Sequence, residues 1–410
     1  MAGETKAQKR KELKELALVI AEHQANLMRL AEAWGQRICD ALDDADRKTI
    51  ARLKTLLSEV MSNYKVNTAK SLSQLDYIRS KIEELRVRAY VKAEKSLREE
   101  ANELIDNETK WAWRISSELT GMKAAAFAPL TDARAQKLLK NSIQINKTWA
   151  EWWTNTAAAD VARVANVVNA GVVSGATIDQ MTREIMGTKA NNYTDGVMST
   201  NRSHARNMAR TICCGIANQA KDEFYRENSD IIKQVEWLST LDGKTCPICG
   251  GMDLHRWDLQ QPHPVPPSHP SCRCVLLPVT EMTDMGDDVP RSRANADFDA
   301  EAKRAYEAKY PNKKWEDLAA STRLKYYYKA IHDWEKRTGK PAFSPAPGRM
   351  KFKDYFLQMS EQQKRDYLGP AKYKLWKTGK YSVDDFIPPY PNKAMTVKEL
   401  KAKDLASFKK

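Results

Sequence analysis

The chain has 410 residues, 42% hydrophobic and 29% charged, which is enough for two to four domains and a sizeable buried core. The formal net charge of +14 is unevenly placed, because residues 291–410 hold 28 Lys and Arg against 15 Asp and Glu, together with 19 of the 34 aromatic residues. Met1–Glu15 is too polar for a signal peptide, and the most apolar run, Ala157–Ala176, is interrupted by Asp160, Arg163, Asn166 and Asn169, which excludes a bilayer span and points to a soluble protein made in a reducing cytoplasm.

In chain order, residues 10 to 122 read as long amphipathic helices. Leu13, Leu16, Ile20, Leu27, Leu30, Trp34, Ile38 and Leu42 recur at three- and four-residue spacing, the signature of one apolar helix face. A second stripe runs through Ile50, Leu53, Leu57, Val60, Met61 and Tyr64, and a third from Leu72 through Leu75, Ile78, Ile82 and Leu85 to Leu97, Leu104 and Ile105. The expected role of these stripes is helix-on-helix packing, with Trp111, Trp113 and Phe127 closing the bundle.

Thr131 or Asp132 can cap the next helix, and Trp149, Trp152 and Trp153 open another. Val173–Thr177 reads as a turn, with Thr177 capping a short helix. Ala205, Met208, Ala209, Ile212, Ile216 and Ala217 then keep helical spacing. Ile232–Trp237 switches to alternation, as in a strand. Five prolines make 261–270 an extended surface loop, and Cys272–Pro278 reads as a strand with Cys272 and Cys274 on one face. Residues 283–298 read as a linker. Two helical modules follow, at 299–338 and 350–377, divided by a Pro-rich hinge at 341–348.

Four of the seven cysteines lie in two clusters, Cys246-Pro-Ile-Cys249 and His269-Pro-Ser-Cys272-Arg-Cys274. A Cys-x2-Cys knuckle presents two thiolates on one side of a tight turn, and the second cluster supplies the other half of a tetrahedral site. Soft thiolate and imidazole donors favour zinc over calcium or magnesium. Cys246 and Cys249 are the first two ligands. His269, Cys272 and Cys274 compete for the remaining two places, with His255 and His263 as outsiders, and four ligands make a closed structural site. Cys39, Cys213 and Cys214 read as small core residues.

No His-x-Glu precedes the first Cys pair, and the chain has neither His-Glu-x-x-His nor a Gly-x4-Gly-Lys-Ser/Thr phosphate loop. The zinc therefore reads as structural and the protein as a non-enzyme. The alternative is a metal-dependent, nuclease-like DNA-processing enzyme with a second metal among His255, His263 and His269.

Ala209-Arg-Thr-Ile212, Val235-Glu-Trp237, Asp242-Gly-Lys-Thr245-Cys246-Pro-Ile-Cys249 and His269-Pro-Ser-Cys272-Arg-Cys274, taken together, resemble the phage Mu F-like minor head protein family, the phage head morphogenesis proteins. The resemblance covers roughly residues 130–280. A C-terminal pattern is similar too: Phe352–Phe356, Gln362-Gln363, Leu368-Gly369, Gly379-Lys380, Asp384–Phe386 and Thr396–Leu400. One departure is Met252-Asp253-Leu254-His255, where the family usually has an Asp-Gly turn. The resemblance implies a low-copy, portal-associated minor capsid protein of the virion, made in the host cytoplasm, that acts in head morphogenesis and in DNA packaging or ejection.

The expected fold is mostly α with a small α+β zinc-knuckle module. It divides into long N-terminal helices at 1–128, a central head-morphogenesis domain at 129–282 that ends in the knuckle, the 283–298 linker, and a basic, aromatic-rich, helical C-terminal region at 299–410. Expected partners are portal and capsid proteins, further copies of the chain, and packaged double-stranded DNA. The basic region would meet DNA through lysine–phosphate contacts and through stacking on Tyr326, Tyr327, Tyr328 or Trp334.

Overall fold

The computed structural model describes residues 6–61, 69–141, 144–191, 193–280, 292–318, 320–345, 350–387 and 398. The first two apolar stripes belong to one helix, α1 (Lys6–Met61), and the third lies on α2 (Ala69–Thr120). The segment between Leu42 and Ile50 is charged but holds no glycine or proline. Asp44 there pairs with Lys48 at 2.7 Å and Arg47 at 3.6 Å along the helix surface, so nothing interrupts the backbone ladder. Tyr64, at the end of the second stripe, lies outside the described residues.

Four helices follow: α3 (Asp132–Asn141), α4 (Trp149–Ser174), α5 (Ile178–Met186) and α6 (Val197–Glu227). Thr177 caps α5 as expected, in a reciprocal box with Gln180, and Thr148 does the same for α4 with Glu151. Gly175 ends α4 in the left-handed region at φ 72°, which explains the turn at Val173–Thr177.

The chain divides into two compact units. One comprises Arg29–Ile105 and Ala133–Ile216; the other comprises Met1–Met28, Asp106–Asp132 and Ala217–Lys410. The first unit is helical. Leu53, Leu56, Leu57, Ile78 and Ile82 pack against Val161, Val164, Val168, Met181 and Ile185. Beside this apolar core sits a buried ionic cluster. The fully buried Arg86 donates to Asp46 at 2.6 Å and to both carboxylate oxygens of Asp160, which also accepts the Tyr90 hydroxyl at 2.9 Å.

The second unit holds a three-stranded antiparallel sheet. β1 (Gln234–Leu238) lies between β2 (Arg256–Asp258) and β3 (Val275–Val279), with Val235 opposite both Trp257 and Pro278. Pro278 is tolerated because β3 is an edge strand. The short helix α7 (Pro247–Met252) stands between β1 and β2 in sequence. Trp113 and Phe127 pack against the apolar face of this module with Trp237, Trp257 and Leu276, and Trp111 packs with Ile20, Leu238 and Val275. These aromatics therefore cover the sheet, where the sequence suggested closure of a helical bundle.

The C-terminal part contains two helix pairs, α8 (Phe298–Lys309) with α9 (Ala320–Thr338), and α10 (Phe352–Gln358) with α11 (Glu361–Lys377). The segments read as linker and hinge also contribute strands, β4 (Ser292–Ala294) and β5 (Phe343–Pro345), which pair antiparallel. Phe352, Phe356, Leu368 and Phe386 share a core with Leu241, just ahead of the knuckle. The fold is thus mostly α with a small α+β module, and no described helix is long and apolar enough to cross a membrane. The pattern at Thr396–Leu400 falls outside the described residues except for Lys398.

Candidate metal centre

The polypeptide leaves β1 through a turn that its own side chains close. Asp242 accepts the Lys244 amide at 2.9 Å, and the Thr245 hydroxyl donates to the Thr240 carbonyl. Cys246 then caps α7, its sulfur accepting the Cys249 amide at 3.4 Å, with Pro247 in the first helical turn. The half-turn of helix brings both thiols to one side.

The second cluster arrives on an irregular segment. Cys272 and Cys274 are both buried, but β3 begins only at Val275, so the expected strand across 272–274 is not formed. Ser271, at φ 60°, and a turn bond from the Cys272 amide to the His269 carbonyl at 3.1 Å hold the backbone out of extended geometry there.

The result is a cluster of five donors in two overlapping groups. Ligand atoms of Cys246, Cys249 and His269 lie within 4.8 Å of one another, as do those of Cys249, Cys272 and Cys274. Cys249 Sγ is 3.2 Å from His269 Nε2 and 3.8 Å from Cys272 Sγ. A tetrahedral ion with bonds of about 2.3 Å to sulfur and about 2.0 Å to nitrogen has edges of about 3.8 Å between sulfurs and about 3.5 Å between sulfur and nitrogen. The donor spacing and the soft donor set therefore suit a metal such as zinc. The His269 ring is also oriented for ligation, since Nδ1 donates to the Pro270 carbonyl at 2.9 Å and leaves the Nε2 lone pair facing the thiols.

The chain matches the family model described as Phage Mu protein F like protein over residues 162–277, a span that contains all five donors and closes within β3. Residues 162–277 are therefore similar to Phage Mu protein F like proteins. Neither a curated protein nor a solved structure matches the chain.

Within the matched segment, most of the motif residues have a definable physical task. Arg273, between the two cysteines, forms a bidentate pair with buried Asp242, which also accepts the Tyr327 hydroxyl at 2.9 Å. The Ser239 hydroxyl accepts the Trp237 indole at 3.2 Å and the Cys274 thiol at 3.6 Å, and it donates to the Cys249 carbonyl at 2.8 Å. At the departure from the family turn, Leu254 takes φ 60°, a conformation that favours glycine, and its side chain packs beside Leu238 and Val275. Asp253 bridges the Ser239 amide at 3.0 Å and the Phe352 amide at 2.7 Å.

The thiols and imidazole of the knuckle perturb one another strongly. A hydrogen bond from Cys249 outweighs burial and, with His269, pulls the Cys246 thiol down to about 5, while Cys249 is pushed well up by the neighbouring Cys246, Cys272 and Cys274. Burial opposes the protonated His269 ring, but the thiols of Cys246 and Cys272 overcome it and raise the ring to about 10. A cation binding there would displace the protons that His269 and Cys249 hold.

The outlying histidines are used elsewhere. His255 packs against the Trp257 ring at 4.4 Å, and His263 pairs with Asp222 at 2.8 Å. Among the described residues, His269 is the one histidine in a group able to hold a metal. Cys39 and Cys213 are buried core residues, as expected.

Sequence reasoning missed Asn218, whose side chain donates to the Cys274 carbonyl at 3.1 Å and accepts the Leu276 amide at 3.3 Å, fixing the segment that carries two of the thiols. Its signal was an amide set among Ile216, Ala217 and Ala220 on an apolar helix face. It also missed the buried Glu108, which pairs with Lys221 at 3.1 Å and His23 at 3.0 Å.

Proposed function

We propose that this protein is a structural minor component of a phage head, associated with the portal, that acts in head morphogenesis and in the packaging or delivery of DNA. The supporting observation is that the Mu F-like segment ends on a closed, soft-donor knuckle whose outer residues are packed and hydrogen-bonded, a construction suited to rigidity. In this reading residues 1–128 form an assembly arm, 129–282 the central domain, 283–298 a linker and 299–410 a basic region that meets DNA. The partners are portal and capsid proteins and further copies of the chain, and the location is the virion.

The same reading places one zinc ion on Cys246, Cys249, His269 and Cys272. Cys249 joins the two halves, at 3.2 Å from His269 Nε2 and 3.8 Å from Cys272 Sγ, whereas the Cys274 thiol points its hydrogen at Ser239. Zinc would cross-link α7 to the strand-leading segment and contribute on the order of 10 kcal/mol, as in small zinc domains.

Mass spectrometry of purified heads and a pull-down with the cognate portal test the assembly reading; absence from heads refutes it. Zinc content of single variants tests the ligand set. Cys246→Ser, Cys249→Ser, His269→Ala and Cys272→Ser are expected to lose stoichiometric zinc, and Cys274→Ser to keep it. Loss in Cys274→Ser with retention in Cys272→Ser would reverse the assignment.

A further inference from the structure

The hydroxyl of Tyr367, on α11, is buried and has no hydrogen-bond partner among the described residues. Closing a hydroxyl off from water without an acceptor is costly, so what surrounds it is informative. The Tyr367 ring lies against Phe352, at 5.6 Å between centroids, and against Phe356, at 5.5 Å. Phe352 in turn sits on α7. Its Cδ1 would stand 2.6 Å from a methyl at Gly250, the residue after Cys249, and its amide donates to Asp253 at 2.7 Å. The tyrosine is thus one side chain away from the helix that carries the first Cys pair, although it belongs to a part of the chain that the family model does not match.

The groups that act on this phenol are those of the knuckle. Burial pushes it well above its ordinary value of 10, and Cys246 adds most to that rise, followed by Cys249 and Asp242. The hydroxyl therefore keeps its proton and is a donor among three potential acceptors. Two of these are occupied. Asp242 already accepts Arg273 twice, the Tyr327 hydroxyl and the Lys244 amide. Cys249 is 1% exposed, and its sulfur lies against His269 Nε2 and Cys272 Sγ. Cys246 Sγ accepts the Cys249 amide at 3.4 Å and, as a thiolate bound to a metal, keeps a lone pair for a further donor.

We propose that Tyr367 is a positioning residue of the metal centre, its hydroxyl donating to Cys246 Sγ when that thiolate ligates the ion. The proposal rests on the reading of the knuckle as a zinc site, and it adds an outer partner supplied by the C-terminal helices. A hydrogen bond to a ligating sulfur fixes its orientation and draws off part of its charge, as outer partners of metal ligands do. By linkage, zinc and the seating of α11 beside the knuckle then favour each other. The ion gives the hydroxyl its acceptor, and the seated ring holds the ligand in place.

The test is Tyr367→Phe in the full chain, which keeps the ring against Phe352 and Phe356 and removes only the hydroxyl. Competition with a chromophoric chelator should show zinc held about 10–100-fold more weakly than by wild type. With cobalt(II) in place of zinc, the thiolate-to-metal charge-transfer band should move to longer wavelength, because a sulfur without its hydrogen bond gives up an electron more readily. Urea titrations should show opposite signs. Tyr367→Phe should be less stable than wild type with zinc, and at least as stable once EDTA has removed it, since phenylalanine buries no unpartnered hydroxyl. Equal zinc affinity with an unchanged cobalt band would overturn the proposal, as would the same loss of stability with and without zinc. The cobalt spectrum is read on folded, loaded protein, so it decides the matter even where the zinc-free chain does not refold. A wild type that takes up neither ion stoichiometrically overturns the metal reading and the proposal with it.

Discussion

Asp242→Ala should release the C-terminal helix pair from the knuckle. The Asp242 carboxylate accepts two bonds from Arg273, one of 2.7 Å, along with the Tyr327 hydroxyl and the Lys244 amide, both at 2.9 Å. Its loss strands a guanidinium whose side chain is 11% exposed and a tyrosine that is 2% exposed. Breaking a buried ion pair from one side costs about 3–5 kcal/mol, and a stranded hydroxyl adds about 1–3 kcal/mol. Because the groups share one acceptor, the sum is not fully additive, and a total of about 4–6 kcal/mol is expected. Arg273→Met alone should cost about 3–5 kcal/mol by leaving the carboxylate unpaired. The double variant buries neither charge and should be less destabilised than the two single changes combined by at least about 2 kcal/mol. Hydrogen exchange of the full chain, followed in peptides spanning 240–246 and 323–330, reads these values as local opening. Purely additive effects, or normal protection around Tyr327 in Asp242→Ala, would refute the reasoning.

Three further outcomes follow from the packing and charge. A methyl added at Gly250 would stand 2.6 Å from Phe352 Cδ1 and 3.2 Å from Ile387 Cγ2, so Gly250→Ala should lose about 1–3 kcal/mol and Phe352→Leu should recover part of it in urea titrations; a variant as stable as wild type would show that the C-terminal aromatics do not seat on α7. Arg86→Met leaves Asp160 buried without its cationic partner, whereas Asp46 keeps Arg202, and should cost about 3–5 kcal/mol in thermal melts followed by helical signal, while further replacing Asp160 with an apolar residue should restore most of it. Burial alone would raise Glu108, but Lys221 and His23 outweigh it and hold the carboxylate below its ordinary value of 4.5. The native state therefore binds fewer protons there than the unfolded chain, and the stability advantage of wild type over Glu108→Gln should be constant above pH 4.5 and shrink as pH falls through the lower native value. A difference that does not vary from pH 7 to 3 would contradict that pairing.

The parts legible in the sequence were those set by local spacing. The stripes through Ile20, Trp34, Ile38 and Leu42 and through Ile78, Ile82 and Leu97 fell on two long helices because a helical period needs only near neighbours to be read. The Cys-x2-Cys and His-Pro-Ser-Cys spacings likewise brought the donor cluster together. What stayed hidden was pairing over long sequence separations. Nothing near Asp253 announces Phe352, and nothing near Asp242 announces Tyr327, so the seating of the C-terminal helices on the knuckle had no local signal. The alternation of Cys272 and Cys274 imitated a strand, but it was overridden by the turn at His269–Cys272. Tyr327 and Trp334 were candidates for base stacking, yet both rings contact Phe298: Tyr327 is fully buried, and Trp334 is partly buried against the same cluster.

The three-part make-up of the knuckle-bearing unit sets an order on the ribosome. Every stretch of the helical unit has been translated by Ile216, whereas its companion must wait for the chain beyond Ala217 before its first 28 residues and its 106–132 segment find their neighbours. At about 5–20 residues per second this delay lasts roughly 10–40 s. During that interval the N-terminal piece waits with its apolar face uncovered, and α7 emerges before Phe352 and Ile387 exist to pack against its Gly250. The helix that carries Cys249 is thus complete before the residues that pack against it are made.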